Sequence, residues 1–455
     1  MADARFFNQI RKLIARDELP AALEKMRAFL ANTPHLNDIV HHSGRFYYLR
    51  RQIALGLVSD EDATLSRNQI RFGILDLLHE IETGGKTALP DELASNPLSD
   101  RLLAADKTQW VKNLSKSIEK QEVVVGDDPL QVFQHYGWLV QNFLFNLVTP
   151  PGNRADLTRL SYMTEAWQAS VRYLCYIQVA QVVQLQDKKQ HPVIADFLSM
   201  KGNDYMTFDY LGLLAASTEL IERNKAFIPE IHDLVGKICD TQNSLYQTTL
   251  LLHDRRQKLL PGINPGSENL PALLDEYLTA LVFWLCDIAF LAKYRLVSIK
   301  DININYRIGT ESTRFRHLFG ELHGHFSPGE AKYNLIQVKG GFTFNQSVLL
   351  FKGSDVATCL RNLDKTGTYL SLSPFLIDQS VLVETPTQTP ELYYFTGQPQ
   401  KTDMYSFVHY ARELFQPNYD PQLFEMEIDG RNMGEPKKDE WHEHIKALFK
   451  PFKHA

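Results

Sequence analysis

Residues 37–78 read NDIVHHSGRFYYLRRQIALGLVSDEDATLSRNQIRFGILDLL, and this stretch decides how the N-terminal part of the chain is organised. Apolar residues from Ile39 through Tyr47 to Ile53 predict one helix, which Gly56 ends because glycine enters left-handed C-cap geometry without a Cβ clash. Ser59 with Asp62 three residues on resembles a capping box with a shortened acidic partner. Ile70, Ile74, Leu77 and Leu78 then mark a second helix.

Working outward, two more helical patterns precede this stretch. Ile10, Leu13 and Ile14 share one face, and Leu23, Met26 and Leu30 form the next apolar stripe. Asp17, Glu18, Leu19 and Pro20 separate them, and Pro20 suits a first helical turn, where a missing N–H removes no bond. Gly84 and Gly85 close a four-helix module over residues 1–85.

The module resembles the effector-associated domains of prokaryotic conflict systems, most nearly the type numbered eleven. The residues that carry the resemblance over 5–82 are Leu13, Ile14, Ala15 and Arg16, then Leu19, Ala22 and Leu23, then Ser43, Gly44, Arg45 and Leu49. Gly56, Leu57, Val58 and Ser59 follow, with Asn68, Ile70 and Leu75. Asp17 departs from it where relatives carry Gly or Asn, which alters a turn and leaves the fold. The resemblance implies a death-fold-like adaptor that pairs with the same domain on another protein, such as an effector or NTPase. Arg45, Arg50 and Arg51 form the candidate partner-binding stripe, set against the plainer reading of a solvated helix face. His41 and His42 point about 100° apart on a helix and do not converge on one metal ion.

The whole chain has 455 residues, enough for about three domains. With 44% hydrophobic and 22% charged residues it reads as globular with sizeable cores, and a net charge of −6 gives no basic field for nucleic acid. Cys175, Cys239, Cys286 and Cys359 lie far apart without ligand spacing, which fits a reducing cytoplasm. The most apolar run, 277–297, contains Asp287, Lys293 and Arg295; each charge near a bilayer centre costs about 3 kcal/mol, so a buried helix is expected and no membrane span.

Residues 86–105 read as a linker interrupted by Pro90 and Pro97. Gly84, Gly85, Lys86 and Thr87 imitate the end of a phosphate-binding loop, but Glu80 stands where its first glycine belongs. Residues 106–299 form a helical domain, with segments expected around 129–147, 160–186, 207–224, 228–253 and 271–298. This block resembles, in degenerate form, the helical domain of HEPN ribonucleases, in which an arginine, a polar residue and a following histidine act on RNA. Arg256 and Gln257 begin that motif, but Pro261 stands where a histidine belongs and has no proton to exchange. Arg223 and Asn224 have His232 too far along, and Arg316 with His317 and His323 fits the spacing best.

Residues 300–455 are expected to be an α+β domain with a small antiparallel sheet. Ser312 caps an expected helix carrying Phe315, Leu318, Phe319 and Leu322; strands are expected at 348–351, 368–372 and 392–395, and a tail helix over 439–452. His317, His323 and His325 are the nearest approach to a metal set, yet His317 and His323 fall on different faces and no carboxylate or cysteine accompanies them, so neither a metal nor a cofactor is expected. The chain therefore reads as mainly α: a small death-fold-like module, a large helical domain and a small antiparallel β part. The functional expectation is a non-enzymatic adaptor or regulatory subunit of an antiphage system, a possible homo-oligomer; the alternative is an effector nuclease with a HEPN-like domain.

Overall fold

The computed structural model describes residues 4–15 and 19–30 and, singly, 39, 43, 46, 74, 78 and 81. From 109 to 452 it describes all but 127, 150–156, 186–190, 202–203, 260–269, 306–313, 326–331, 339–346, 354, 362–366, 383–388, 399–403, 411–424 and 430–435. The chain divides into two compact units, Met1–Asp100 and Arg101–Ala455.

In the first unit, α1 (Ala4–Ala15) and α2 (Leu19–Phe29) pack through Phe7, Ile10 and Ile14 against Leu23, Met26 and Leu30. Ile39, Ser43 and Phe46 are helical and buried at i, i+4, i+7. Ile74, Leu78 and Ile81 repeat that spacing, and the apolar members of both stripes join the α1–α2 core. Four amphipathic stripes thus share one core, as the apolar spacing requires.

The second unit is built around one long helix. Its helices are α3 (Gln109–Glu119), α4 (Pro129–Phe133), α5 (Trp138–Val148), α6 (Leu157–Gln184), α7 (Pro192–Leu198), α8 (Asp204–Thr207), α9 (Tyr210–Leu220), α10 (Glu230–Cys239), α11 (Ser244–Leu259) and α12 (Leu270–Asp287). Helix α6 is buried along most of its length and packs against α5, α9, α11 and α12. Its buried residues fall on every side of the helix, and the polar ones among them, such as Arg172, Gln178 and Gln181, make hydrogen bonds to other elements.

The strands are β1 (Tyr294–Asn305), β2 (Arg314–Glu321), β3 (Tyr333–Val338), β4 (Ser347–Lys352), β5 (Tyr369–Ser371), β6 (Leu376–Asp378), β7 (Leu392–Gly397), β8 (Met404–His409) and β9 (Glu425–Asp429). They make two antiparallel sheets, ordered β3-β2-β1-β4-β5 and β6-β7-β8-β9. Short helices α13 (Val356–Arg361) and α14 (Gln379–Leu382) and the tail helix α15 (Pro436–Phe449) complete the described elements. One continuous core takes in helices and both sheets, while a smaller one, Val297, Ile299, Phe319, Leu349 and Phe351, lies on the other face of the five-stranded sheet with α13. The chain is mainly α with a small antiparallel β part, as its sequence pattern indicates.

Three local expectations are corrected. The segment 228–253 is two helices, because Asp240 Oδ1 accepts from Gln242 N at 3.0 Å and Asn243 Oδ1 from Leu245 N at 2.9 Å, closing one helix and capping the next. The segment 271–298 stops being α-helical at Asp287, turns through a short 3₁₀ stretch, Ala289–Lys293, and enters β1. The helix expected on Phe315, Leu318, Phe319 and Leu322 is strand β2, hydrogen-bonded to β1 and β3. Ser312, its expected cap, lies outside the described residues.

Candidate functional site

The partner-binding stripe Arg45, Arg50 and Arg51 lies outside the described residues, as do His41 and His42. What the first unit does present is an aromatic pair that sequence spacing missed. Phe6 of α1 stacks on Phe29 of α2 with ring centroids 4.1 Å apart, and Phe7 meets Phe29 edge-on at 6.0 Å. Phe7 is buried, whereas Phe29 is 37% exposed at the end of a helix whose outer side carries Glu24, Lys25 and Arg27. An apolar tip ringed by charge has the make-up of a small contact surface. The clue was available: Phe6, Phe7 and Phe29 cluster where α1 begins and α2 ends, which an antiparallel helix pair brings together.

The histidines do not assemble a nuclease site. Arg316 is exposed in the middle of β2, and five extended residues, about 16 Å, separate it from the end of that strand before His323 is reached. His323 is buried and both ring nitrogens are engaged: Nε2 accepts from Leu296 N at 2.6 Å and Nδ1 donates to the Gln134 carbonyl at 2.7 Å. That arrangement fixes the neutral tautomer, and burial, helped by the Arg295 charge, brings its pKa down to about 3. His323 therefore pins the 3₁₀ turn Gln134–Tyr136 to β1, and with both ring nitrogens engaged it has neither a free base nor a free donor for a substrate.

The other two arginines are also committed. Arg223 pairs with Asp233 at 2.7 Å, and neighbouring His232 is held below its usual pKa by burial and by Arg223. Arg256 is buried and donates to the Met206 carbonyl at 2.7 Å. His317 lies on the rung Ile302–His317–Ile336, fully buried, with burial lowering its pKa to about 4. His325 lies beside the Trp138 ring, centroids 6.3 Å apart. These histidines do not converge, and no group of three metal-ligating residues occurs among the described residues.

Two buried polar clusters, neither legible in the sequence, hold the second unit together. The first surrounds Asp378. Its Oδ2 accepts from Ser298 Oγ at 2.5 Å and from the Tyr333 hydroxyl. Its Oδ1 accepts from Ser380 Oγ at 2.8 Å, Ser380 N at 3.1 Å and Glu391 N at 2.9 Å. Five donors saturate the carboxylate, which lets it stay buried with no cationic partner at hydrogen-bond range among the described residues. Tyr333 reaches it because the intervening residue is Gly320: a Cβ there would lie 2.6 Å from Pro390 Cγ and 3.4 Å from the Tyr333 ring. Lys300 Nζ sits 4.8 Å from the Tyr333 ring centroid, and desolvation and Asp378 hold the phenol protonated by raising its pKa.

The second cluster surrounds Arg172 of α6. Its Nη1 donates to the Tyr394 hydroxyl at 3.1 Å, and its guanidinium lies 5.2, 5.4 and 5.7 Å from the ring centroids of Tyr394, Tyr210 and Tyr205. Arg172 thereby ties α6 to β7 and to the 204–210 segment. Beside it runs a mostly apolar crevice of about 280 Å³, open mouth included, lined by Leu139, Phe143, Glu165 and Tyr176 among others. Its enclosed part admits about one water molecule, so it is a packing crevice and not a ligand pocket.

Among the described residues no helix is long and apolar enough to cross a membrane. Neither a search of curated proteins nor one of solved structures finds a match to this chain. Residues 5–82 match the family model of effector-associated domain 11, so the chain carries at its N-terminal end the kind of module that effector-associated systems use.

Proposed function

We propose that the chain is an adaptor or regulatory subunit of a prokaryotic conflict system directed against phage. Residues 5–82 recruit an effector or NTPase that carries a similar module, in the cytoplasm, and the Arg101–Ala455 unit receives the trigger or a second contact. The observation that carries this reading is the family match over 5–82. The exposed Phe29 beside Lys25 and Arg27 supplies a contact of suitable size, and Arg45, Arg50 and Arg51 add positive charge within the same segment. A small helical contact binds weakly alone; a second contact from the larger unit raises the effective concentration and so the overall affinity.

The test is co-purification from the native cell of the tagged full chain beside the chain lacking 1–85, with mass spectrometry of the retained proteins. Loss of a partner bearing a similar helical module on deletion supports the adaptor reading. An unchanged set of partners refutes it. The nuclease alternative is disfavoured by the separation of Arg316 from His323 and by the engagement of both ring nitrogens of His323.

A further inference from the structure

The two sheets have four outer strands, and three of them are guarded. Strand β5 is three residues long, and Gln184 Nε2 of α6 donates to its Ser371 carbonyl at 2.8 Å. Strand β6 is also three residues long and wholly buried. Strand β9 carries Glu425, Glu427 and Asp429, and α15 packs on it. Short length, charge and a covering helix are the devices that keep sheet edges from pairing with other chains.

Strand β3 lacks the first two, and α13 touches it only from the sheet face on which Ile336 packs against the smaller core. Its six residues, YNLIQV, include no charge, no proline and no glycine. It pairs with β2 on one side, and among the described residues no strand pairs with the other. Asn334, Leu335 and Gln337 are exposed, and Leu335 is 55% exposed at mid-strand. An edge with no strand partner among the described residues, on an uncharged and β-prone strand, is a template for another strand.

We infer that β3 pairs antiparallel with β3 of a second copy of this chain, joining two five-stranded sheets into one. Two features select a second copy as the occupant. An uncharged strand meets its own image without repulsion, whereas it offers a foreign charged peptide no complementary partner. The symmetry also closes: a twofold axis perpendicular to the sheet keeps each side chain on its face, so residues of like parity must oppose one another. The register centred on Leu335 sets Leu335 against Leu335 of the partner subunit and Tyr333 opposite Gln337, and it buries the exposed leucine against its own copy. This contact lies in the Arg101–Ala455 unit and does not depend on the recruitment proposed for residues 5–82.

Sedimentation equilibrium of the full chain over a concentration series tests it, with Leu335→Lys, Leu335→Glu and an equimolar mixture of the two variants. Leu335 is exposed, so both variants fold, and their circular dichroism and melting transitions check this. The expected result is a wild-type dimer whose association weakens at least about tenfold in either variant, because like charges then face each other across the axis. Mixing the variants restores the dimer through Lys–Glu pairing. A monomeric wild type overturns the inference, as does a dimer that both variants leave unchanged, and so does a mixture no tighter than its components.

Discussion

Ser298 and Tyr333 occupy one rung of the five-stranded sheet, on either side of Gly320, and both donate to the same carboxylate oxygen, Oδ2 of Asp378. The rung runs Ser298–Gly320–Tyr333 across β1, β2 and β3. Because the central residue lacks a side chain, the tyrosine ring crosses over it and brings a hydroxyl from the outer strand to an acid that belongs to the other sheet.

Replacing Asp378 by Asn puts an amide NH₂ among groups that all donate. The expected loss is about 2–4 kcal/mol of unfolding free energy, read from urea denaturation. Tyr333→Phe removes one of the five donors and costs less, about 1–2 kcal/mol. A double-mutant cycle between Tyr333→Phe and Ser298→Ala shows coupling, since both hydroxyls serve one oxygen.

Gly320→Ala forces either Pro390 or the Tyr333 ring to move, since the added carbon would lie 2.6 Å from the proline. A destabilisation of about 1–3 kcal/mol is expected. The Tyr333→Phe background should reduce little of it, because the shorter contact is with Pro390; a full rescue there would contradict this geometry.

Acid should weaken the fold through His323 and His317. Their pKa values in the folded protein lie near about 3 and about 4, below the ordinary value of 6.5. Between those limits the unfolded chain binds protons that the folded chain refuses. The stability tied to each histidine is complete above pH 6.5 and falls as the pH drops toward its folded value, by up to about 1.4 kcal/mol per pH unit. Urea midpoints from pH 7 to pH 4 measure the slope. His323→Gln should flatten it, and an unchanged slope would mean that another group governs the acid limb.

Arg172→Lys keeps a positive charge but loses the planar guanidinium that lies near the rings of Tyr205, Tyr210 and Tyr394. A cost of about 2–4 kcal/mol is expected, with a change in near-ultraviolet circular dichroism from the displaced tyrosines. A neutral outcome would show that ring packing alone holds α6 to β7.

Helices were legible in the sequence where one face had to be apolar. The periodicity of 160–186 predicted α6 to within a few residues, and the four stripes of residues 1–85 carried both the module and its resemblance. The first two strands were not legible, for a specific reason. Leu296 of β1 faces the main core while Val297 faces the smaller one, so the strand is apolar on both sides and its alternation vanishes. Phe319 on β2 and Leu322 just after it belong to different cores, so a spacing of three that suits one helix face here reaches both sides of a sheet. The Asp378 and Arg172 clusters escaped because their members come from residues 298, 333, 378 and 391, and from 172, 205, 210 and 394, brought together only by the fold.

The rung through Gly320 also acts as a proofreader of strand alignment. If β1 slips by one residue, Ser298 points to the opposite face. If β3 slips, the tyrosine goes the same way and no longer lies over the glycine. Either error confines an acid between two sheets with too few donors to replace its water, so the acid stays hydrated and the sheets stay apart until every strand is in place. A misaligned strand thus takes donors away from the carboxylate, and docking of the two sheets is expected among the last events of folding.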